Sequence, residues 1–173
     1  MNCPSCGAPL SLEGDQESLT CDYCKSIYLP EPDDEGVRLL GEADGASCPI
    51  CAVPLMHATL ARQRIRICPH CRGMLIPMDN FVALIQELKA IHPSGSVPHA
   101  PDRRELDRRI ECPECHQHMD THYYGGPGNV VIDDCSRCLL NWLDHGELMR
   151  IVIAPDRTYR EEFGDDPADL RDR

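Results

Sequence analysis

The residues of this sequence best suited to chemistry are its cysteines, and their spacing is regular. All 12 cysteines of the 173-residue chain fall into C-x-x-C pairs. The six pairs are Cys3/Cys6, Cys21/Cys24, Cys48/Cys51, Cys68/Cys71, Cys112/Cys115 and Cys135/Cys138. Taken two at a time along the chain, the pairs leave 14, 16 and 19 residues between their inner cysteines. Such spacings lie in or next to the range of about 15–20 residues that indicates a zinc site with four cysteine ligands.

Two C-x-x-C turns joined by a hairpin predict a closed, structural metal site. Each turn directs two sulfur atoms into one pocket, and a β-hairpin of 14–19 residues returns the second turn beside the first. Four thiolates around Zn²⁺ leave no position for the water molecule that a catalytic zinc keeps. The sequence therefore predicts three structural Zn²⁺ ions, each held by four cysteines.

The composition offers little else to hold such small pieces together. The chain has two Phe and one Trp, against 15 Pro and 12 Gly. A unit of about 40 residues or fewer rarely buries enough surface to fold unaided. Zinc supplies on the order of 10 kcal/mol to such peptides at neutral pH. We therefore expect each four-cysteine unit to be a small domain nucleated by its metal ion.

The residues around the cysteines repeat as well. Each unit begins with C-P-x-C, and positions four and five after its last cysteine are apolar: Tyr28–Leu29, Leu75–Ile76 and Trp142–Leu143. This pattern predicts a small, metal-stabilised α+β fold of three tandem zinc ribbons, each a β-hairpin or three-stranded sheet. A short C-terminal α-helix is expected after the second and third ribbons, where apolar residues recur at helical spacing, as at Phe81, Leu84, Ile85 and Leu88.

The same pattern divides the chain into six parts. The predicted parts are ribbon 1 (residues 1–30), an acidic linker (31–46), ribbon 2 with its helix (47–90), a flexible charged linker (91–110), ribbon 3 with its helix (111–153) and a charged tail (154–173).

The third unit carries a recognisable motif. From Cys138 the sequence reads C-x-x-x-W-L-D-x-G-E-L, after a C-P-x-C turn and a predicted hairpin. This resembles the closing signature of the transcription-factor-IIB-type zinc-ribbon family. Asp144 is predicted to cap the helix that follows, with Glu147 three residues later completing a capping box. The resemblance implies a role in protein contacts, because the ribbon of that transcription factor docks on a polymerase.

The other two units resemble this family less closely. The middle unit has Leu75–Ile76–Pro77 where W-L-D is expected, and Asp79 or Asn80 is predicted to cap its helix. The first unit shares the cysteine frame but has no matching helix.

Iron and histidine offer alternative metal chemistry. A rubredoxin-type iron site also uses two C-x-x-C turns, but it normally lies under a cluster of aromatic side chains, and the second unit has only Phe81. An iron redox protein is therefore the least favoured alternative. Histidines lie near several cysteines, at His70, His116, His118 and His122. Since four cysteines already close each site, we expect these histidines at the surface.

Catalysis and membrane insertion have no support in the sequence. It contains no G-x-S-x-G, phosphate-loop or H-E-x-x-H motif. We therefore predict that the protein is not an enzyme and has no catalytic residues. No apolar run approaches ~18 residues, and the N-terminus lacks the pattern of a secretory signal. The sequence thus predicts a cytoplasmic protein that does not contact a membrane.

The charge distribution bears on the partner. The formal net charge is −12, and only residues 45–101 are basic, with 5 basic and 2 acidic side chains. Within them Arg62, Arg64 and Arg66 alternate along a predicted strand, and Arg72 follows the last cysteine of the unit. These four arginines are the candidates for contact with nucleic acid.

The overall charge disfavours nucleic acid as a partner, since thiolates bound to zinc make the chain more acidic still. The predicted function is therefore a zinc-binding adaptor or regulatory protein that acts through protein–protein contacts. The alternative is a transcription-related regulator that binds nucleic acid through its basic middle ribbon.

Overall fold

The computed structural model describes residues 1–12, 18–95, 103–125 and 129–155. The centre of the predicted linker over residues 91–110 and the predicted tail from residue 156 onwards lie outside the described residues. None of the helices in the described ranges has the length and the apolar composition needed to cross a lipid bilayer.

Ribbon 1 forms a small antiparallel sheet of its own. Its strands are β1 (Leu10–Ser11), β2 (Leu19–Cys21) and β3 (Ile27–Tyr28), in the spatial order β1-β2-β3. The register places Leu10 opposite Cys21 and Leu19 opposite Tyr28, so these four side chains share one face. Leu19 and Cys21 are buried there, on the side of the metal-binding cysteines.

Ribbons 2 and 3 are fused into one antiparallel sheet of seven strands. The strands are β4 (Arg38–Ser47), β5 (Pro54–Leu60), β6 (Gln63–Ile67), β7 (Met74–Pro77), β8 (Asp120–Tyr123), β9 (Val131–Cys135) and β10 (Leu140–Leu143). Their spatial order is β4-β5-β6-β7-β10-β9-β8. The last strand of ribbon 2 therefore pairs directly with the last strand of ribbon 3, although more than sixty residues separate them in sequence.

Most of the predicted acidic linker over residues 31–46 is strand. β4 pairs with β5, and its buried residues Leu40, Ala43 and Ala46 are spaced by three. This spacing does not match the period of two that indicates a regular strand. Two register shifts interrupt the β4–β5 pairing and accommodate the extra residues, as β-bulges do. The acidic residues 31–35 precede the strand and form a loop with a turn at residues 34–35.

Of the three helices in the part of the chain that the structure describes, two cover one face of the large sheet. They are α1 (Met78–Ile91) and α3 (Glu147–Ile153), and a four-residue helix, α2 (Arg103–Leu106), precedes ribbon 3. α1 buries Phe81, Leu84, Ile85 and Leu88, which confirms the apolar face predicted from their spacing. The helices that the sequence predicts after ribbons 2 and 3 are thus both present.

The helix starts differ from the predicted caps. α1 begins after Pro77 and has no side-chain cap, while Asn80 donates its amide N–H to the carbonyl oxygen of Arg64 at 3.1 Å. α3 begins after Gly146, whose φ of 85° lies in the left-handed region that glycine adopts without strain. Neither helix is therefore capped by Asp79, Asn80 or Asp144.

The sheet has a different core on each face. On the helix face, Ile67, Ile76 and Leu143 pack with the apolar sides of α1 and α3. On the opposite face, Leu75 and Trp142 pack with cysteines of the second and third clusters. The predicted small α+β fold of three zinc ribbons is confirmed, and two of these ribbons share both cores.

Candidate metal centres

The described residues contain three clusters of four cysteines. In each cluster, all four Sγ atoms lie within 4.8 Å of one another. The clusters are Cys3, Cys6, Cys21 and Cys24 in ribbon 1; Cys48, Cys51, Cys68 and Cys71 in ribbon 2; and Cys112, Cys115, Cys135 and Cys138 in ribbon 3. The fold thus brings the predicted ligands together in the predicted groups of four.

The sulfur–sulfur distances fit a tetrahedral zinc site. The Sγ atoms are 3.6 Å apart for Cys3 and Cys24, and also for Cys48 and Cys71, while Cys115 and its neighbour Cys135 are 3.7 Å apart. Four sulfurs about 2.3 Å from a central Zn²⁺ lie about 3.8 Å from one another. A disulfide requires an S–S distance of about 2.05 Å. We therefore assign one zinc ion to each of the three clusters.

Backbone turns direct the sulfurs inward. In ribbon 2 the N–H groups of Ile50 and Cys51 point at the Sγ atom of Cys48, at 3.4 and 3.3 Å. The residue that follows each C-x-x-C pair adopts a left-handed conformation. These residues are Gly7, Lys25, Ala52, Arg72, His116 and Leu139. Five of the six carry a side chain, for which this conformation costs about 1–2 kcal/mol, so metal binding and the surrounding packing must offset the strain.

Residues 111–154 match the family model described as transcription factor zinc-finger. Ribbon 3 is a zinc ribbon of the transcription-factor-IIB type. The match spans the third cysteine cluster together with α3, which confirms the resemblance seen in the sequence of this unit. No match was found among curated proteins or among solved structures. For ribbons 1 and 2, the assignment of zinc is therefore supported by their cysteine clusters and not by a family match.

Hydrogen bonds favour some of the thiolates, and sulfur neighbours oppose others. The hydroxyl group of Ser26 lowers the pKa of Cys24 to about 6. In the transcription-factor-IIB-type ribbon, a backbone hydrogen bond from Gln117 lowers the pKa of Cys115 to about 7, while the adjacent sulfur of Cys115 raises the pKa of Cys138 to about 12. Four adjacent thiolates repel one another, so a cluster ionises fully at neutral pH only around a cation.

The first cluster is more open than the other two. Cys6 and Cys24 are exposed, whereas the second and third clusters have two buried and two half-buried cysteines each. The described residues of ribbon 1, 1–12 and 18–30, also include no helix. The zinc ion of ribbon 1 is therefore the most accessible to solvent and to competing ligands.

Trp142 of the transcription-factor-IIB-type ribbon packs against a glycine of ribbon 2. A β-carbon added to Gly73 would lie 2.3 Å from Cζ2 of Trp142, so only glycine leaves room for the indole ring. The indole N–H of Trp142 donates to the carboxylate of Asp144 at 3.1 Å. The sequence around Gly73 gives no signal of this contact, because the contact depends on a strand pairing with distant residues.

A half-buried arginine holds the segment before ribbon 3 against that ribbon. Arg108 binds the carboxylate of Asp133, which is fully buried, at 2.5 Å and also forms an ion pair with Asp144. The hydroxyl group of Thr121 donates to the other carboxylate oxygen of Asp133. The side chain of Asp144 therefore binds Arg108 and accepts a hydrogen bond from Trp142 instead of capping α3.

Glu147 retains half of the predicted capping box. Its carboxylate accepts the backbone N–H of Asp144 at 2.6 Å. Burial raises the pKa of Glu147 to about 8, and the negative charges of Asp144 and Glu105 add to this effect. Arg150, 3.4 Å away, opposes it. Glu147 is thus a buried carboxyl group whose ionisation disfavours the folded state.

The candidate arginines of ribbon 2 make contacts within the chain. Arg66 forms an ion pair with Glu114, next to the third cluster, and Arg64 donates to the carbonyl oxygen of Leu12 in ribbon 1 at 3.4 Å. Arg62 is exposed in the turn between β5 and β6.

Arg72 is held by the acidic loop that precedes β4. It binds both Asp33 and Glu35, with N–O distances of 2.5 Å, and this contact holds the pKa of Glu35 below its usual value. Glu35 also lies 2.7 Å from a ring nitrogen of His145 in ribbon 3. The loop therefore connects ribbon 2 to the transcription-factor-IIB-type ribbon.

Proposed function

We propose that this protein is a cytoplasmic, non-enzymatic adaptor that acts through protein–protein contacts and uses zinc only to hold its structure. The observation that carries this proposal is the contrast between its arginines and its apolar side chains. Three of the four candidate arginines are engaged by groups of the same chain. Large apolar side chains, in contrast, are exposed in ribbon 1 and on α1.

An apolar groove between ribbon 2 and α3 offers one surface for a partner. It has a volume of about 480 Å³, and its apolar wall is formed by Leu60, Leu88, Ile91 and Met149. Asp34 and Glu35 of the acidic loop form part of its rim. The groove therefore suits a protein segment with apolar side chains flanked by basic residues.

The closed metal sites support a structural role for zinc. Each cluster supplies four sulfur ligands, which fill the tetrahedral coordination of Zn²⁺ and leave no position for a substrate or a water molecule. We propose on this basis that the ions stabilise the ribbons and perform no reaction.

The groove can be tested by affinity capture with the zinc-loaded full-length protein and two matched variants. Ile91→Glu places a charge in the groove, where Ile91 is 70% exposed. Val82→Glu places the same charge on the opposite side of α1, nine residues away, where Val82 is 57% exposed. A partner that uses the groove is lost with Ile91→Glu and kept with Val82→Glu. Equal capture by both variants, with zinc content measured on the same samples, overturns the assignment of the groove.

The alternative, a nucleic-acid-binding regulator, makes a separate prediction. Binding through Arg62, Arg64 and Arg66 would weaken steeply as salt rises, because each phosphate contact releases counterions. Titration of a labelled duplex at about 50 mM and about 200 mM salt distinguishes the two functions. We expect no binding at either salt concentration. Salt-sensitive binding that Arg64→Glu abolishes would replace the adaptor function with the alternative.

A further inference from the structure

We propose that ribbon 1 joins a second copy of this chain, by pairing its strand β3 with β3 of that copy about a two-fold axis. β3 is an edge strand of the three-stranded sheet. The proposal goes beyond the adaptor function and does not depend on the apolar groove, since it concerns the edge of ribbon 1 and a different partner.

Ribbons 2 and 3 are joined by the pairing of β7 with β10, which we call the joint. The joint shows how one ribbon pairs with another. β7 and β10 are antiparallel, with Leu75 opposite Trp142. Each of these residues is the fourth after the last cysteine of its ribbon. On either side of this central pair, Met74 lies opposite Leu143, and Ile76 lies opposite Asn141. Equivalent strand positions therefore meet around a local two-fold axis.

The sequence of the edge strand in ribbon 1 is similar to that of β7 in ribbon 2. Residues 24–31 read C-K-S-I-Y-L-P-E, and residues 71–78, which form the ribbon 2 side of the joint, read C-R-G-M-L-I-P-M. A basic residue, a small residue, three residues with large apolar or aromatic side chains, and a proline follow the cysteine in both. Ser26 takes the position of Gly73, and Tyr28 takes the position of Leu75 and, across the joint, of Trp142.

The backbone N–H and C=O groups of β3 alternate in the way that the same pairing requires. The N–H of Cys21 donates to the carbonyl oxygen of Ser26 at 2.9 Å, just as Cys68 donates to Gly73 in ribbon 2. Hydrogen-bonded pairs alternate along an antiparallel ladder, so the N–H and C=O groups of Ile27 and Leu29 face the free edge. The equivalent groups of ribbon 2, on residues 74 and 76, face β10.

The side chains at these positions are exposed in ribbon 1 and covered in the joint. Ile27 is 73% exposed and Leu29 is 50% exposed. Their equivalents Met74 and Ile76 are 7% and 0% exposed, under the helices and beside the paired strand. An exposed edge strand with large apolar side chains is a template for pairing with another chain.

Charge complementarity favours a second copy of this chain as the partner that pairs with β3. The register of the joint, centred on Tyr28, places Ile27 opposite Leu29 of the second copy and Lys25 opposite Glu31. Both charged residues are exposed, and the symmetry forms the Lys25–Glu31 pair twice. The joint itself extends to this position, since Met78 donates its N–H to the carbonyl oxygen of Leu139 at 2.9 Å.

The test is the mass of the zinc-loaded full-length protein in sedimentation velocity over a wide range of concentrations. We expect wild type to reach twice the 19.4 kDa of the single chain. Lys25→Glu and Glu31→Lys each make both cross-chain pairs repulsive, and we expect each to weaken the dimer roughly tenfold. A mixture of the two variants restores both attractive pairs and is expected to form the mixed dimer at the wild-type affinity.

Two further variants address the strand edge. Ile27→Lys places a charge in the paired strands and is expected to leave a single chain, whereas Val82→Lys, at a similarly exposed apolar residue of α1, is expected to leave the dimer intact. Native mass spectrometry confirms three zinc ions in every variant. Wild type that stays at 19.4 kDa with three zinc ions bound overturns the proposal. So does a dimer that both charge reversals leave unchanged.

Discussion

Gly73 of ribbon 2 lies directly under the indole ring of Trp142 of ribbon 3, in the space that any other side chain would fill. The ring comes from a residue 69 positions further along the chain, and it reaches Gly73 because β7 and β10 pair with Leu75 opposite Trp142. This contact makes the two ribbons one structural unit. A substitution that adds a single carbon atom at Gly73 therefore tests whether the two ribbons are packed in this way.

Gly73→Ala is expected to destabilise the protein. The new β-carbon would lie 2.3 Å from Trp142, so the ring or the strand must shift, and overpacking of this kind costs about 1–3 kcal/mol. Urea unfolding of the zinc-loaded protein measures the loss. Gly125→Ala is the matched control, because a β-carbon at Gly125 meets nothing within 4 Å. Equal stability of the two variants would contradict the contact.

Arg108→Ala is expected to cost about 3–5 kcal/mol, because it leaves the buried carboxylate of Asp133 without its cationic partner. Arg109→Ala removes an exposed guanidinium from the next residue and is expected to change the stability by about 0.5 kcal/mol or less. Thermal unfolding of the two variants in parallel measures the difference. If both variants unfold at the same temperature as wild type, Asp133 is not held by Arg108.

Removal of zinc is expected to occur in two phases. A chelator that changes colour on binding zinc should take one ion quickly and the other two slowly, because Cys6 and Cys24 of the first cluster are exposed. Circular dichroism should change little in the fast phase and lose its ordered signal in the slow phase, since zinc supplies on the order of 10 kcal/mol to units of this size. Three ions leaving at one rate, or a chain that stays folded without zinc, would contradict this account.

Glu147 is expected to make the protein less stable as pH rises from about 6 to about 8. Its pKa in the folded state is about 8, against an ordinary value of 4.5, so the folded state binds a proton that the unfolded state has released over this interval. Stability attributable to Glu147 is therefore lost as pH rises towards the folded-state pKa. Relative to Glu147→Gln, which does not titrate, wild type should lose on the order of 2 kcal/mol.

The Glu147→Gln comparison also removes the contribution of the thiolates, since zinc binding shows the opposite dependence on pH in both proteins. Parallel denaturant titrations at the two pH values give the difference directly. A constant difference between wild type and variant would show that Glu147 is already ionised in the folded state.

The sequence alone determined the parts of this protein that depend on short-range geometry. Each zinc site needs two C-x-x-C turns and one hairpin, so the spacing of the 12 cysteines was enough to predict all three clusters. The buried face of α1 was readable for the same reason, because Phe81 and Leu84 lie within one turn of helix. The motif from Trp142 to Leu148 identified the third ribbon.

Only the tertiary structure decided how these parts combine. The pairing of Leu75 with Trp142, the binding of Arg72 by the acidic loop and the contact of Arg108 with Asp133 all join residues far apart in sequence. β4 escaped prediction because its buried residues recur every third position, and only the register shifts against β5 make that spacing compatible with a strand. Metal coordination is a local constraint that leaves a signature in spacing, whereas strand pairing and ion pairing depend on which distant surfaces meet.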